Sequence, residues 1–278
     1  MSVIKQRNII PLWLFLNSVM IVVMVVIGGI TRLTDSGLSM VDWRLFAGIL
    51  PPMNENEWGI LFENYKLYPE YKFLNFDISL TEFKKIFFWE YIHRIWGRLI
   101  GITFVFPFIY FLIYKKLSRK LSKFLFLALF LGCFQGFMGW FMVKSGLIDK
   151  PDVSQYRLAA HLGVAFTIYV LLLFLGWNQL RSLSSGNVIN KYDFNIKALL
   201  VISFFLTFFT IISGAFVAGI DAGLAYNNFP LMGDGFLPPD AFILEPFWVN
   251  FFENTSLVQF DHRVLATITA LVILGICI

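Results

Sequence analysis

The sequence is poor in charged residues. Asp, Glu, Lys and Arg make up 14% of its 278 residues, whereas soluble globular proteins carry about a quarter. Hydrophobic residues make up 58% and collect in long runs, each able to cross roughly 30 Å of hydrocarbon as a helix. This composition excludes a soluble globular protein and predicts an all-α integral membrane protein in the lipid bilayer. The six predicted spans cover about 9–30, 93–114, 123–143, 160–178, 196–218 and 262–278.

Cysteine is scarce as well. The two cysteines, Cys133 and Cys277, lie inside apolar runs rather than in polar loops, so we expect no structural disulfide. The formal net charge of +4 does not indicate nucleic-acid binding, because the basic residues cluster in short segments between the apolar runs. That distribution is typical of cytoplasmic loops, and we expect no nucleic-acid partner.

Lysine and arginine are missing altogether from residues 219–261, a segment that carries six acidic residues. Acidic residues also outnumber basic ones in residues 31–92. By the positive-inside rule, these two long segments lie on the outer side of the membrane and the N-terminus lies in the cytoplasm.

An internal repeat relates the two halves of the chain. Asp35–Ser39 (DSGLS) reappears as Asp221–Ala225 (DAGLA), and Glu90–Arg94 (EYIHR) reappears as Gln259–Arg263 (QFDHR). Both copies start from a cytoplasmic end, so the repeats run in parallel. The sequence therefore predicts a tandem pseudo-repeat of four-helix transmembrane bundles.

The predicted bundles divide the chain at residue 180. The first covers residues 1–180, and the second covers residues 181–278 and is incomplete. Because the last apolar run reaches Ile278 without a polar flank, we expect eight spans in the whole protein, six of them in this chain.

The three histidines, His93, His161 and His262, are all predicted to lie at the outer ends of spans. Zinc prefers closely spaced ligands with cysteine or carboxylate nearby, and no such cluster is seen in the sequence. Single imidazoles on separate helices instead suit the axial positions of haem iron. We predict that His93 and His161 share one haem, and that His262 ligates a second haem with a histidine beyond Ile278.

Arginines follow two of these histidines. Arg94 and Arg98 come within two turns of His93, and Arg263 follows His262. Guanidinium groups bind carboxylates in a bidentate manner, so we predict that these arginines hold haem propionates. The alternative is ordinary snorkelling of arginines at helix ends.

The repeat is asymmetric beside its histidines. Glu90 lies one turn before His93, whereas Gln259 occupies the matching position before His262. A carboxylate can accept a proton and an amide cannot, so Glu90 is the candidate catalytic residue. The alternative is a solvated acidic residue in a polar loop.

At these residues the sequence resembles the haem A synthase family of respiratory membranes. The second of the matching stretches contains Glu90, His93, Arg94 and Arg98, and the absence of a cysteine pair in the outer loops resembles the cysteine-free branch. The matching stretches are residues 28–39, 90–98, 142–147, 158–162 and 261–263.

The resemblance implies a bacterial inner-membrane enzyme that oxidises a ring methyl of haem O to a formyl group, giving haem A. It implies that haem O lies between His93 and His161, that Glu90 is the catalytic carboxylate, and that a haem b cofactor lies at His262. An enzyme that supplies haem O and the assembly of terminal oxidases are the implied partners.

Two other functions fit parts of the pattern. A di-haem b-type membrane cytochrome that exchanges electrons with quinone would share the histidine-bearing helices, but it would give the difference between Glu90 and Gln259 no role. A transporter built from repeats would place ligand residues at the bilayer centre rather than at the ends of spans.

Overall fold

The computed structural model describes residues 9–42, 49–147, 153–183 and 194–278. The regular elements within these ranges are helices, and the ranges contain no β-strand, so the predicted all-α fold is confirmed. The helices are α1 (Ile9–Leu33), α2 (Glu55–Lys66), α3 (Pro69–Phe73), α4 (Leu80–Ile113), α5 (Arg119–Gly146), α6 (Gln155–Leu183), α7 (Phe194–Gly219), α8 (Asn250–Glu253) and α9 (Thr255–Cys277).

Six of these helices, α1, α4, α5, α6, α7 and α9, are long and apolar enough to cross a membrane. They correspond one by one to the six apolar runs of the sequence. The chain is a multi-pass membrane protein, as its composition predicts.

The start of α4 differs from the predicted span. The helix begins at Leu80, about three and a half turns before His93. Ser79 accepts a hydrogen bond from the backbone N–H of Glu82, and the Glu82 side chain bonds back to Ser79, which forms a capping box. His93 therefore lies well inside a continuous helix, and not at its first turn.

The described chain forms two compact units, which are described separately. The first contains the described residues up to Val153 together with Val164–Leu183. The second contains Ser154–Gly163, with His161, and the described residues from Phe194 onwards. The predicted functional bundles, 1–180 and 181–278, stay a prediction.

In the first unit, two tryptophans connect α1 to α4. The indole N–H of Trp13 donates to the carbonyl of Thr103 at 2.8 Å, and that of Trp96 donates to the carbonyl of Met20 at 2.9 Å. A buried apolar cluster fills the cytoplasmic side of the predicted topology and includes Trp13, Leu14, Phe104, Phe108, Leu125 and Leu172. These contacts fix α4 against α1 and thereby the position of His93.

The part of α4 that precedes the predicted span carries a small core of its own. Phe83 and Phe87 of α4 pack with Tyr65 of α2, and all three are buried. This aromatic packing explains why the helix continues outward through a charged stretch that hydropathy alone excludes from the span.

Glu70 of α3 is only 3% exposed and hydrogen-bonds to Tyr65. Burial raises the pKa of the Glu70 carboxyl from 4.5 to about 7, and the bond to Tyr65 opposes part of that increase. Since the folded state binds this proton more tightly than the unfolded state, the stability contributed by Glu70 is complete below pH 4.5 and is lost as the pH rises through about 7.

We therefore expect Glu70→Gln to raise the thermal midpoint at pH 8 and to leave it nearly unchanged at pH 4.5. Each pKa unit corresponds to about 1.4 kcal/mol, so the gain at pH 8 is at most roughly 3 kcal/mol. Thermal unfolding in detergent at the two pH values measures it. Glu63→Gln, at an exposed glutamate paired with Lys66, is the control, and a Glu70→Gln protein that is less stable at pH 8 would contradict the assignment.

In the second unit, the end of α7 touches the start of α6. A Cβ atom added to Gly219 would lie 2.6 Å from the Cα of Gln155, closer than real Cβ atoms come. The Gln155 amide in turn donates to Glu253 of α8 at 2.9 Å. Gly219 is thus required by this close approach.

Gly219→Ala is expected to lower the thermal midpoint by an amount equivalent to about 1–3 kcal/mol, because the backbone must move to admit one methyl group. Gly29→Ala is the matched control, since a Cβ there has nothing within 4 Å. Equal midpoints for the two variants would show that the approach at Gly219 is not tight.

Candidate functional site

Three of the predicted site residues lie together on α4. Arg94 Nε donates to Glu90 Oε1 at 2.6 Å, and Glu90 Oε2 lies 3.7 Å from His93 Nδ1. The side chains of Glu90 and Arg94 are only 5% and 9% exposed. The acid is therefore a buried group in a charge-assisted pair, and not the solvated loop residue that was the alternative.

The same arginine reaches across to the segment that follows α1. Its Nη2 donates to the carbonyl of Met40 at 2.8 Å, and its Nη1 donates to the carbonyl of Asp42 at 2.8 Å. Arg94 thus holds both the catalytic candidate Glu90 and the outer segment beside it.

Arg263 makes the equivalent bonds in the second unit. Its Nη2 donates to the carbonyl of Tyr226 at 2.6 Å, and its Nη1 donates to that of Asn228. The alignment that matches Asp221 to Asp35 also matches Tyr226 to Met40 and Asn228 to Asp42. The repeat therefore extends to individual hydrogen bonds.

The backbone carries the repeat as well. Asp35 and Asp221, the first residues of the matching motifs, both adopt left-handed conformations, with φ of 47° and 52°. Each lies just beyond the end of an apolar helix, where a left-handed residue turns the chain.

Gln259 occupies the place of Glu90 but bonds differently. Its side-chain oxygen accepts from the Tyr226 backbone N–H at 3.1 Å, and its amide donates to the carbonyls of Tyr226 and Gly223 at 2.9 and 3.1 Å. This amide closes a turn of the backbone, whereas Glu90 presents a carboxylate toward a histidine.

Each of two histidines has a glycine of the preceding span beside it. A Cβ atom at Gly28 would lie 3.5 Å from His93 Nε2, and one at Gly214 would lie 3.1 Å from His262 Cε1. Gly28 and Gly214 are equivalent in the repeat. A Cβ at Gly214 would crowd His262, whereas one at Gly28 would make an ordinary van der Waals contact with His93. Both glycines let the backbone of the preceding span come close to an imidazole.

His161 and Arg98 complete the predicted set. His161 lies in α6 and Arg98 lies in α4, one turn after Arg94, and both are partly buried. Their predicted roles, as second axial ligand and propionate-binding group, stay predictions. The predicted role of Arg94 and Arg263 in binding propionates also stays a prediction. In the structure their guanidiniums bind backbone carbonyls.

One polar contact of this region escaped the sequence analysis. Ser213 Oγ lies 2.8 Å from His262 Nδ1. Ser213 lies within the apolar run of α7, and its only sequence signal is its position directly before Gly214, which matches Gly28.

The chain is similar in sequence to a known protein family and to several known proteins. Residues 11–278 match the sequence profile of the COX15-CtaA family, which is described as a cytochrome oxidase assembly protein. The haem A synthase of Nitrosospira multiformis is 50% identical over 95% of this chain and 74% of its own length. The haem A synthase of Rhodospirillum centenum is 46% identical over 96% and 71%.

A mammalian relative is also similar. The haem A synthase COX15 of Bos taurus is 45% identical to the chain over 96% of this chain and 67% of its own length. No solved structure matches.

Proposed function

The chain belongs to the COX15-CtaA family of cytochrome oxidase assembly proteins, and from that membership we propose how its residues act. It is a membrane oxidoreductase, a haem A synthase that converts haem O to haem A. The observation that carries the proposed chemistry is the buried carboxylate of Glu90, which faces His93 while an amide stands at the equivalent position of the repeat.

His93 is the proposed axial ligand of the substrate, haem O, and His161 is the second ligand that the sequence predicts. With imidazoles in both axial positions, dioxygen has no open coordination site on the iron. The methyl group is then oxidised by removal of electrons, and the oxygen atom comes from water.

Glu90 is the proposed proton acceptor for that water. Arg94 holds Oε1, which leaves Oε2 on the side of His93 to accept the proton. Conversion of a methyl group and one water to a formyl group releases four electrons and four protons. The electrons and protons leave in two rounds, through a hydroxymethyl group and then a gem-diol that loses water to form the aldehyde. The electrons pass to an external acceptor, such as a quinone or ferricyanide.

His262 is the proposed ligand of a resident haem b, which supplies one-electron transfer when bound. The residues fit such a group, because position 214 is a glycine and carries no side chain that would crowd the imidazole. Arg94, Arg98 and Arg263 are proposed to bind propionates, and each Nη of a guanidinium carries a second N–H beyond the one given to the backbone.

The positive-inside rule supports an orientation with the N-terminus in the cytoplasm and both haem sites toward the outer face of an inner-membrane-type bilayer. The outer helices α2 and α3 lie on that side. Haem O would come from the enzyme that makes it, and haem A would pass to terminal oxidase assembly.

The product tests the proposal. Purified full chain is supplied with haem O and an oxidant, and the haem is extracted and separated by chromatography. Haem A is the expected product. A di-haem cytochrome that only exchanges electrons with quinone would return unmodified haem, and that result would overturn the proposal.

The source of oxygen tests the water route. With water labelled by oxygen-18, the label is read in the hydroxymethyl intermediate, whose carbon–oxygen bond does not exchange with solvent. A labelled intermediate is expected, whereas an unlabelled one would mean that a histidine dissociates and dioxygen reaches the iron.

A further inference from the structure

Ser213 and His262 form a contact that the proposed reaction does not use. We propose that Ser213 is a positioning residue that fixes the tautomer of His262, so that its Nε2 faces the iron and haem b stays bound, while His93 has the apolar Ile27 at the matching position and can release its haem. This inference rests on the proposed function, since it assigns His262 to a haem.

The proposed direction of the hydrogen bond follows from the role assigned to His262. If Nε2 binds the iron, Nδ1 carries the imidazole proton and donates it to Ser213 Oγ, 2.8 Å away. The single hydrogen of the serine hydroxyl then has the carbonyl of Thr210, at 2.9 Å, as its acceptor.

The helices around this bond are held at a fixed spacing. Thr210 of α7 and Thr269 of α9 share a hydrogen bond between their hydroxyls at 2.8 Å, one turn of α7 away from Ser213. On the other side of Ser213, Gly214 places its backbone against the edge of the His262 ring. The imidazole is thus oriented from two adjacent positions of α7.

The counterpart of Ser213 in the first half of the repeat carries no hydroxyl. Because Gly28 matches Gly214, that counterpart is Ile27, a buried apolar side chain. His93 Nδ1 lies 3.7 Å from Glu90 Oε2, which is too far for a hydrogen bond.

This difference matches the needs of the two sites. A hydrogen bond from Nδ1–H to an oxygen makes the opposite nitrogen a more basic ligand and fixes the ring plane. A resident cofactor gains from a firm ligand. A substrate that must leave as product gains from a ligand that can turn away.

The test uses the full chain loaded with haem b and haem O. Haem loss to an excess of apomyoglobin is followed by haem type, and the midpoint potential of haem b is measured. Ser213→Ala should release haem b about 10-fold faster and raise its midpoint potential, because a less basic ligand stabilises the ferric state less. The rate at which haem O or haem A is released should be the same in Ser213→Ala as in the unchanged chain. Ser213→Thr, which keeps a hydroxyl, should have the release rate and the midpoint potential of the unchanged chain.

Ser203→Ala is the matched control. Ser203 lies on the same helix, donates to the carbonyl of Leu200 at 2.9 Å as Ser213 does to Thr210, and is partly exposed. Unchanged release and potential in Ser213→Ala, with haem b present, would overturn the role of Ser213 alone. A full chain that binds no haem b would overturn the proposed function of the second site as well.

Discussion

Glu90→Gln is expected to lower the rate of haem A formation at least 100-fold, within the roughly 10²- to 10⁴-fold that a positioned proton acceptor contributes. The amide has the same shape and can still accept from Arg94 Nε, so haem O should bind as before. What is lost is the carboxylate oxygen that faces His93. Single-turnover conversion of bound haem O, read by chromatography of the extracted haem, measures the effect.

The same chemical change away from the site controls for the loss of one charge. Glu63→Gln removes an exposed carboxylate and should leave the rate unchanged. If Glu90→Gln forms haem A within about threefold of the unchanged chain, the proton acceptor is another group. Glu90 would then be part of the ion pair alone.

The second large effect concerns stability. Arg94→Met leaves the buried carboxylate of Glu90 without its cation and frees the carbonyls of Met40 and Asp42. Loss of one partner of a buried ion pair costs about 3–5 kcal/mol. The thermal midpoint in detergent should fall accordingly, and haem A formation should fall with it because Glu90 is no longer held.

Arg263→Met is the natural comparison, since Arg263 makes the matching carbonyl bonds beside an amide. Arg263→Met should lower the stability less than Arg94→Met does, because it leaves no buried charge without a partner. In the double variant Glu90→Gln with Arg94→Met, part of the stability should return. Equal costs for Arg94→Met and Arg263→Met would contradict a special role of the Glu90–Arg94 pair.

The fold was largely predictable because the membrane restricts the choices. Every buried backbone group in hydrocarbon must be satisfied within a helix, so the six apolar runs led directly to α1, α4, α5, α6, α7 and α9. The start of α4 was missed because Glu82, Lys84 and Lys85 interrupt the apolar pattern there. The Ser79–Glu82 capping box was the readable signal.

The residues of the site were predictable from the sequence, but most of the contacts between them were not. The repeat identified Glu90, His93 and their counterparts, because matching motifs needed no geometry. Spacing along α4 allowed Glu90 to face either His93 or Arg94, and only the structure shows that Arg94 takes one oxygen. Ser213 was missed because a serine inside an apolar run carries no pattern until the neighbouring helix is in place.

The central claim is that imidazoles on separate helices hold two different haems, and the haem content of two variants tests it most directly. The full chain is purified as His93→Ala and as His262→Ala after supply of both haem b and haem O, and the extracted haems are quantified. The account predicts that His93→Ala lacks haem O and haem A but keeps haem b, and that His262→Ala lacks haem b. Two variants that both keep the haem complement of the unchanged chain would contradict it.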